Sequence, residues 1–383
     1  MSDSDARPYG FATRAIHSGQ APDPVTGSVI PALHLATTYA QSAVGEHHGY
    51  EYSRTGNPTR AALETTLADL EGAERAFCFS SGMAASDSLL RSLRPGDHVI
   101  IPDDAYGGTW RLVARIYGEC GISHTPVDLT RPSEVEAAWR PETRLVWVET
   151  PSNPLLRIVD IEAVAAVAHA SGGLCVVDNT FATPYLQQPL SLGADAVLHS
   201  ATKYLGGHSD VVGGCVATSH SALTEHLAFT QNATGAVPSP FDCYLVQRGL
   251  KTLAVRLDRQ CATALSVANL LEGHPAVASV NYPGLPSHEG HDLAKRQMSD
   301  FGAMVSFALK GGEPAALEMV TKTHLFTLAE SLGAVESLIE HPARMTHASV
   351  VGSALEVDPA LVRLSVGIES AGDLLDDLRL ALG

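Results

Sequence analysis

Six short apolar runs constrain this chain more than any other feature: "RAFCFS", "DHVIIP", "RLVWVETP", "GLCVVDNTF", "AVLHSATK" and "GGCVATS", all between positions 75 and 219. They are rich in β-branched residues, and Ala-rich stretches such as "IEAVAAVAHASGG" lie between several of them. Continuous apolar strands alternating with helices predict an α/β fold, a mostly parallel central sheet covered by helices on both faces. In such sheets the ligand crevice lies beyond the carboxyl ends of the strands. The polar residues that close these runs therefore carry the candidate chemistry: Glu149 and Asn153, Asp178 and Thr180, then Ser200, Thr202 and Lys203.

The flanks read differently. The first sixty residues are rich in Gly, Pro, Thr and His, and "GYEYSRTGNPTR" reads as loop. So long an irregular segment predicts a functional or intersubunit arm. From "NPTRAALETTLADLEGAE" the pattern is helical, with Asn57 or Thr59 as cap and Gly72 as stop. Near "VQRGLKTLAVRLDRQCATALSVANLLEG" one long helix links the strand-rich region to a smaller α+β region ending in "VRLSVGIES" and a helical tail. The expected organisation is an arm over 1–60, a large domain over 61–250 and a C-terminal domain over 251–383.

Composition narrows the function. A chain of 383 residues with 45% hydrophobic and 17% charged residues has ample core. Lys+Arg of 25 against Asp+Glu of 42 gives a net charge of −17, which argues against nucleic-acid or anionic-membrane surfaces. No window is apolar for long enough to span a bilayer, and "MSDSDARPYG" is polar, so a cytoplasmic protein is expected. Six scattered cysteines without a CxxC pair are read as reduced thiols.

Lys203 is the first of only five lysines, and it sits between hydroxyl residues and Gly206-Gly207. Most lysines at strand ends merely face solvent; one in a partly apolar cleft can lose its proton and form a Schiff base with a carbonyl. Asp178 closes a fully apolar strand. It is either a local cap or partner for an arginine, or a counter-ion that keeps a pyridine nitrogen protonated and the ring an electron sink. In "FSSGMAASDSLL" the backbone N–H groups of Gly82 and Met83, at a helix start, suit a phosphate, although many helices begin this way. Tyr106 in "DDAYGGTWR" offers a stacking ring, or ordinary packing. His288 and His291 lack HExxH spacing and are read as loop residues, and no metal site is expected.

An imine lysine, a pyridinium carboxylate, a phosphate cradle and a stacking tyrosine belong together on pyridoxal 5′-phosphate. The chain resembles the cysteine/methionine-metabolism family of pyridoxal-phosphate enzymes, which includes the cystathionine γ-synthases and γ-lyases. The matching motifs run nearly end to end: "YSRTGNPTR", "SSGMAA", "DDAYGGT", "VETPSNP", "VDNTFATP", "SATKYLGGHSDVVGG", "YPGLPSH", "ESLGAVESLIEHPARMTHAS" and "RLSVGIE". The resemblance implies the type I fold of these enzymes and a homotetramer, a pair of dimers with shared active sites. It implies that Lys203 bonds the cofactor and moves protons, that Tyr106 stacks on the ring and assists amine exchange, and that Asp178 pairs the ring nitrogen. Gly82, Met83, Ser200 and Thr202 would bind the phosphate, with Tyr52 and Arg54 reaching in from a neighbouring subunit. Arg363, Asn153 and the main chain around Ser331 would clamp the substrate carboxylate, and Arg111 and Glu330 would grip the distal end of a long substrate.

The expected chemistry is loss of a γ-substituent from a sulfur amino acid. The motifs lean to a cystathionine γ-lyase, which yields cysteine, 2-oxobutanoate and ammonia. Next comes a cystathionine γ-synthase, which replaces the acyloxy group of an O-acylhomoserine with the sulfur of cysteine. Methionine γ-lyases typically carry cysteine after the Tyr-Gly of the tyrosine turn, where this chain has Gly108. A hydrolase is disfavoured because "GHSDV" lacks the closing glycine of GxSxG, and no GxxxxGK[ST] or GxGxxG sequence supports a nucleotide-binding module.

Overall fold

The computed structural model describes residues 9–347, 352 and 355–383. The polar opening residues 1–8, and Ala348 and Ser349 at the end of "RMTHAS", lie outside them. The arm carries a short helix, Phe11–His17, and a hairpin of β1 (Gln41–Ala43) and β2 (Glu46–His47). Apolar side chains along it are exposed, Val25, Val29 and Leu35 among them. The helix Pro58–Glu71 then begins where predicted. The Asn57 side chain caps it by accepting from the N–H groups of Thr59 and Arg60, and Gly72 ends it at φ 70°. Thr59, the other candidate cap, instead accepts from the His34 N–H at 3.0 Å.

The large sheet holds β3 (Arg75–Phe79), β4 (His98–Pro102), β5 (Ser123–Val127), β6 (Thr143–Glu149), β7 (Leu174–Asp178), β8 (Ala196–Ser200) and β9 (Gly214–Thr218). Their order is β3-β9-β8-β7-β6-β4-β5. Neighbours are parallel except at β9, which runs antiparallel to both β3 and β8. Side chains on both faces are buried: Val176, Ala196, Leu198 and Trp147 pack into one apolar cluster, and Val177, Cys175, Val146 and Val148 into another. Two-sided burial explains why these strands read as unbroken apolar runs. The strand not foreseen is β5, "SHTPV", which lies at the sheet edge with Pro126 beside Ile101. An edge strand tolerates proline and polar residues, so its periodicity is weak.

The second sheet has the order β10-β11-β14-β13-β12, built from β10 (Val277–Asn281), β11 (Met304–Leu309), β12 (Thr327–Leu328), β13 (Leu338–Glu340) and β14 (Leu361–Ser365). The 20-residue helix Leu253–Glu272 joins the two regions. Its buried Leu257, Cys261 and Ala264 belong to a cluster that runs from Leu63 and Leu67 to Phe307 and Leu374. One apolar core therefore continues through the junction near residue 250. Among the described residues no helix is long and apolar enough to cross a membrane.

Candidate active site

The carboxyl ends of β3, β4, β6, β7 and β8 face one cavity of about 350 Å³, closed on its far side by the loop before β13 and by Arg363 of β14. That volume suits a cofactor-sized ligand. Lys203 stands in the turn that follows β8. Its Nζ donates to Ser331 Oγ at 2.7 Å. Burial, followed by the charge of Arg363, pulls its pKa from 10.5 down to about 8. A lysine so poised supplies a neutral amine at little cost near neutral pH.

Asp178 ends β7 and lines the same cavity. Its Oδ1 accepts the Thr180 N–H at 3.0 Å. Burial raises its pKa, against these hydrogen bonds and the charge of His199. Among the described residues no cation pairs with it, so the local-partner reading finds no arginine. Beside it in the β6–β7 register is Glu149. Its Oε2 accepts the Tyr106 N–H at 2.7 Å, and its Oε1 accepts Thr109 Oγ1 at 2.7 Å and Trp147 Nε1 at 3.2 Å. Glu149 thereby pins the tyrosine turn to the sheet edge. Burial, with the Asp178 charge adding to it, pushes its carboxyl up to about 8.

The turn has no spare room. A Cβ at Gly108 would come 2.3 Å from Tyr106 Cε1 and 2.9 Å from Met83 Sδ. The substitution Gly108→Ala meets side-chain rather than backbone atoms, so the Tyr106 ring and the Met83 thioether should shift and kcat/KM should fall by no more than about tenfold. Steady-state kinetics on a variant whose unfolding midpoint is unchanged checks this; a loss beyond about 10²-fold would show that the turn cannot give way.

The helix Gly82–Leu90 opens into the cavity, with Ser81 as its cap accepting the Ala84 N–H at 3.0 Å. A Cβ at Gly82 would lie 2.9 Å from Ser200 Cβ, so the loop approaches β8 too closely for any side chain. Met83 and Ser200 also line the cavity. Thr202 lines it as well, but its hydroxyl is shared with Gly213, donating to the carbonyl at 3.2 Å and accepting the N–H at 3.1 Å.

On the opposite wall Arg363 is 2% exposed. Its Nη1 donates to Asn153 Oδ1 at 2.8 Å and lies 3.0 Å from Glu340 Oε1, while its Nη2 donates to the Ser331 carbonyl at 2.9 Å. Its Nε has no hydrogen-bond partner among the described residues. Arg363 lines the cavity, and a guanidinium in a cavity wall suits a carboxylate. Glu330 and Ser331 line the cavity too.

Three candidates lie elsewhere. Tyr52 and Arg54 are exposed on the arm and do not line this chain's cavity. Arg54 Nη1 donates to the Asn232 carbonyl at 2.7 Å, and its guanidinium carbon lies 5.6 Å from the Tyr52 ring centre. Arg111 is exposed and also outside the lining, although its charge reaches Tyr106 and His347. Glu149 and Glu340 were not assigned roles from the sequence. Each is a lone carboxylate beside an apolar run, the pattern that singled out Asp178.

A reactive amine, a carboxylate at the sheet edge and a helix start without room for a Cβ fit a ligand that carries an aldehyde, a ring nitrogen and a phosphate. The family model for Cys/Met metabolism PLP-dependent enzymes matches residues 12–383. The chain belongs to that family; it is an α/β enzyme of fold type I that uses pyridoxal 5′-phosphate in sulfur amino-acid metabolism. It is 58% identical to the cystathionine gamma-synthase of Mycobacterium tuberculosis over 376 residues, 98% of this chain and 97% of that one. It is 51% identical to the cystathionine beta-lyase of Coxiella burnetii over 387 residues, the full length of both. The crystal structure of metB from Corynebacterium glutamicum superposes with a TM-score of 0.97 at 55% identity, covering 98% of each chain. These relatives do not specifically support the γ-lyase lean of the motifs.

Proposed function

We propose that the chain is a cystathionine γ-synthase, which replaces the acyloxy group of an O-acylhomoserine with the sulfur of cysteine. The observation that carries this reading is the 58% identity, over nearly the whole of both chains, with a γ-synthase. It replaces γ-elimination from cystathionine as the main reaction. Bound to Lys203, the cofactor supplies an electron sink for charge that develops at the substrate Cα.

The residues divide the work. Lys203 would hold the cofactor, and its freed amine would take the proton from the substrate Cα and move protons at Cβ as the acyloxy group departs from Cγ as a carboxylate. Asp178 would keep the ring nitrogen protonated, and Tyr106 would stack on the ring and assist amine exchange. Gly82, Met83, Ser200 and Thr202 hold the phosphate. Arg363, with Asn153 and the Ser331 main chain, holds the α-carboxylate. Glu330, exposed at the cavity wall, and Arg111 farther out offer opposite charges to the ammonium and carboxylate of the incoming cysteine.

The arm, residues 1–60, brings Tyr52 and Arg54 to a neighbour's phosphate in a homotetramer. This accounts for two otherwise polar-site residues lying exposed beside apolar arm surface. The six cysteines are free thiols, as a cytoplasmic enzyme requires.

A product assay tests the reaction. Supplied with an O-acylhomoserine and cysteine, the enzyme should form cystathionine with kcat/KM at least about tenfold above that for breakdown of cystathionine, roughly 1.4 kcal/mol of barrier difference. A higher value for cystathionine breakdown, with 2-oxobutanoate as product, would restore the γ-lyase reading.

A further inference from the structure

The carboxylate clamp contains a carboxylate of its own. Arg363 on β14 and Glu340 on β13 are directly opposite in the sheet register, and both side chains are almost wholly buried, at 2% and 1% exposure. Glu340 Oε1 lies 3.0 Å from Arg363 Nη1 and also accepts the Thr346 hydroxyl at 2.8 Å. Its Oε2 is buried without a hydrogen-bond partner among the described residues.

Counting donors shows what the pair does. A guanidinium has five N–H groups. One N–H on Nη1 goes to Asn153 Oδ1 and one on Nη2 to the Ser331 carbonyl, while Glu340 Oε1 stands at ion-pair distance, 3.0 Å, from Nη1. Nε is enclosed without a partner among the described residues, which leaves the second Nη2 N–H as the donor for a ligand. Glu340 therefore helps fix how the guanidinium lies, and its carboxyl, whose pKa burial raises against the pull of Arg363, faces Nη1 at ion-pair distance. Lys203 and Glu330 are the other charged groups within electrostatic reach of it.

We propose that Glu340 is a positioning and charge-balancing residue of the clamp, holding the Arg363 guanidinium in place and weakening its pull on any carboxylate that docks. This rests on the reading that Arg363 takes the substrate α-carboxylate. The α-carboxylate persists from substrate to product. Attraction shared by both lowers KM without speeding the chemical step, and it slows product departure. A buried arginine facing the cavity without a counter-charge would hold both too tightly.

The test is titration of the holoenzyme with butanoate, a four-carbon acid without an amino group, followed by calorimetry. The variant Glu340→Gln keeps the acceptor oxygen and removes the charge, and it should bind butanoate about tenfold more tightly than the parent. Glu340→Asp draws the charge back by one methylene and should fall between the two, which keeps the test open if the glutamine variant does not fold. With the full substrates, KM and kcat should fall together in both variants. A folded Glu340 variant with the parent Kd for butanoate would overturn the proposal. The variant Arg363→Ala separates the two ideas. Loss of butanoate binding there, alongside unchanged Glu340 variants, rejects only the role of Glu340; retention of the parent affinity rejects Arg363 as the carboxylate ligand.

Discussion

Lys203→Met should lose at least about 10⁴-fold in kcat/KM, because on the proposed reading one substitution removes both the covalent anchor of the cofactor and the base that moves substrate protons. Methionine preserves the length of the stem, so packing is largely kept. The variant should also be more stable than the parent when both are free of cofactor. The folded-state pKa of Lys203, about 8, lies below the ordinary value of 10.5. Its buried ammonium therefore weighs against the cofactor-free fold in full below pH 8, and the effect fades as pH rises toward 10.5. Thermal unfolding of the cofactor-free proteins at pH 7 and pH 10 should show the gap narrowing. Activity within tenfold of the parent would exclude Lys203 from the chemistry, and a destabilised variant at pH 7 would show that its amine is satisfied in the fold.

Asp178→Asn should lower kcat/KM by about 10²- to 10³-fold, the usual consequence of deleting one aligned electrostatic group from an active site. Asparagine retains an oxygen for the Thr180 N–H, which Asp178 accepts at 3.0 Å, so the turn after β7 should hold its shape. What disappears is the negative charge that, on the proposed reading, pairs the ring nitrogen. Affinity for pyridoxal 5′-phosphate, followed by its visible absorbance, should weaken as well. Glu at this position should recover more activity than Asn. Equal activities for the two would mean that charge at Asp178 is not what the site uses.

The large sheet was legible because its strands are buried on both faces, so "VWVE" and "CVVD" are continuous in composition as well as in space. The strand β5 was hidden by His124 and Pro126, which a position at the sheet edge tolerates. Asp178 declared itself as a charge ending an apolar run. Glu340, after Leu338 and Ile339, carries the same signature, yet its meaning depends on a cross-strand partner 23 positions later, Arg363, which only the register of β13 with β14 reveals. Glu149 was visible as a polar strand end, but its grip on the Tyr106 turn is a matter of two hydrogen bonds, from the Tyr106 N–H and the Thr109 hydroxyl. Tyr52 and Arg54 were found by motif alone. Nothing in the geometry of a single chain brings them to the cavity, so their role awaits the hybrid-subunit test, in which Lys203→Ala and Arg54→Ala chains are mixed and regain activity only through shared sites.

Ser331 adopts a backbone angle of φ 102°, rarely held by residues other than glycine. From that posture its hydroxyl meets the Lys203 amine and its carbonyl meets Arg363. A single residue thus acts as a caliper, fixing the gap between the two groups proposed to receive the amino and acid ends of one tetrahedral carbon. On that reading the floor gauges whether a visitor is an α-amino acid and ignores everything farther along. Enzymes that part company over sulfur chemistry can then share that floor unaltered, and their differences must be sought toward the rim.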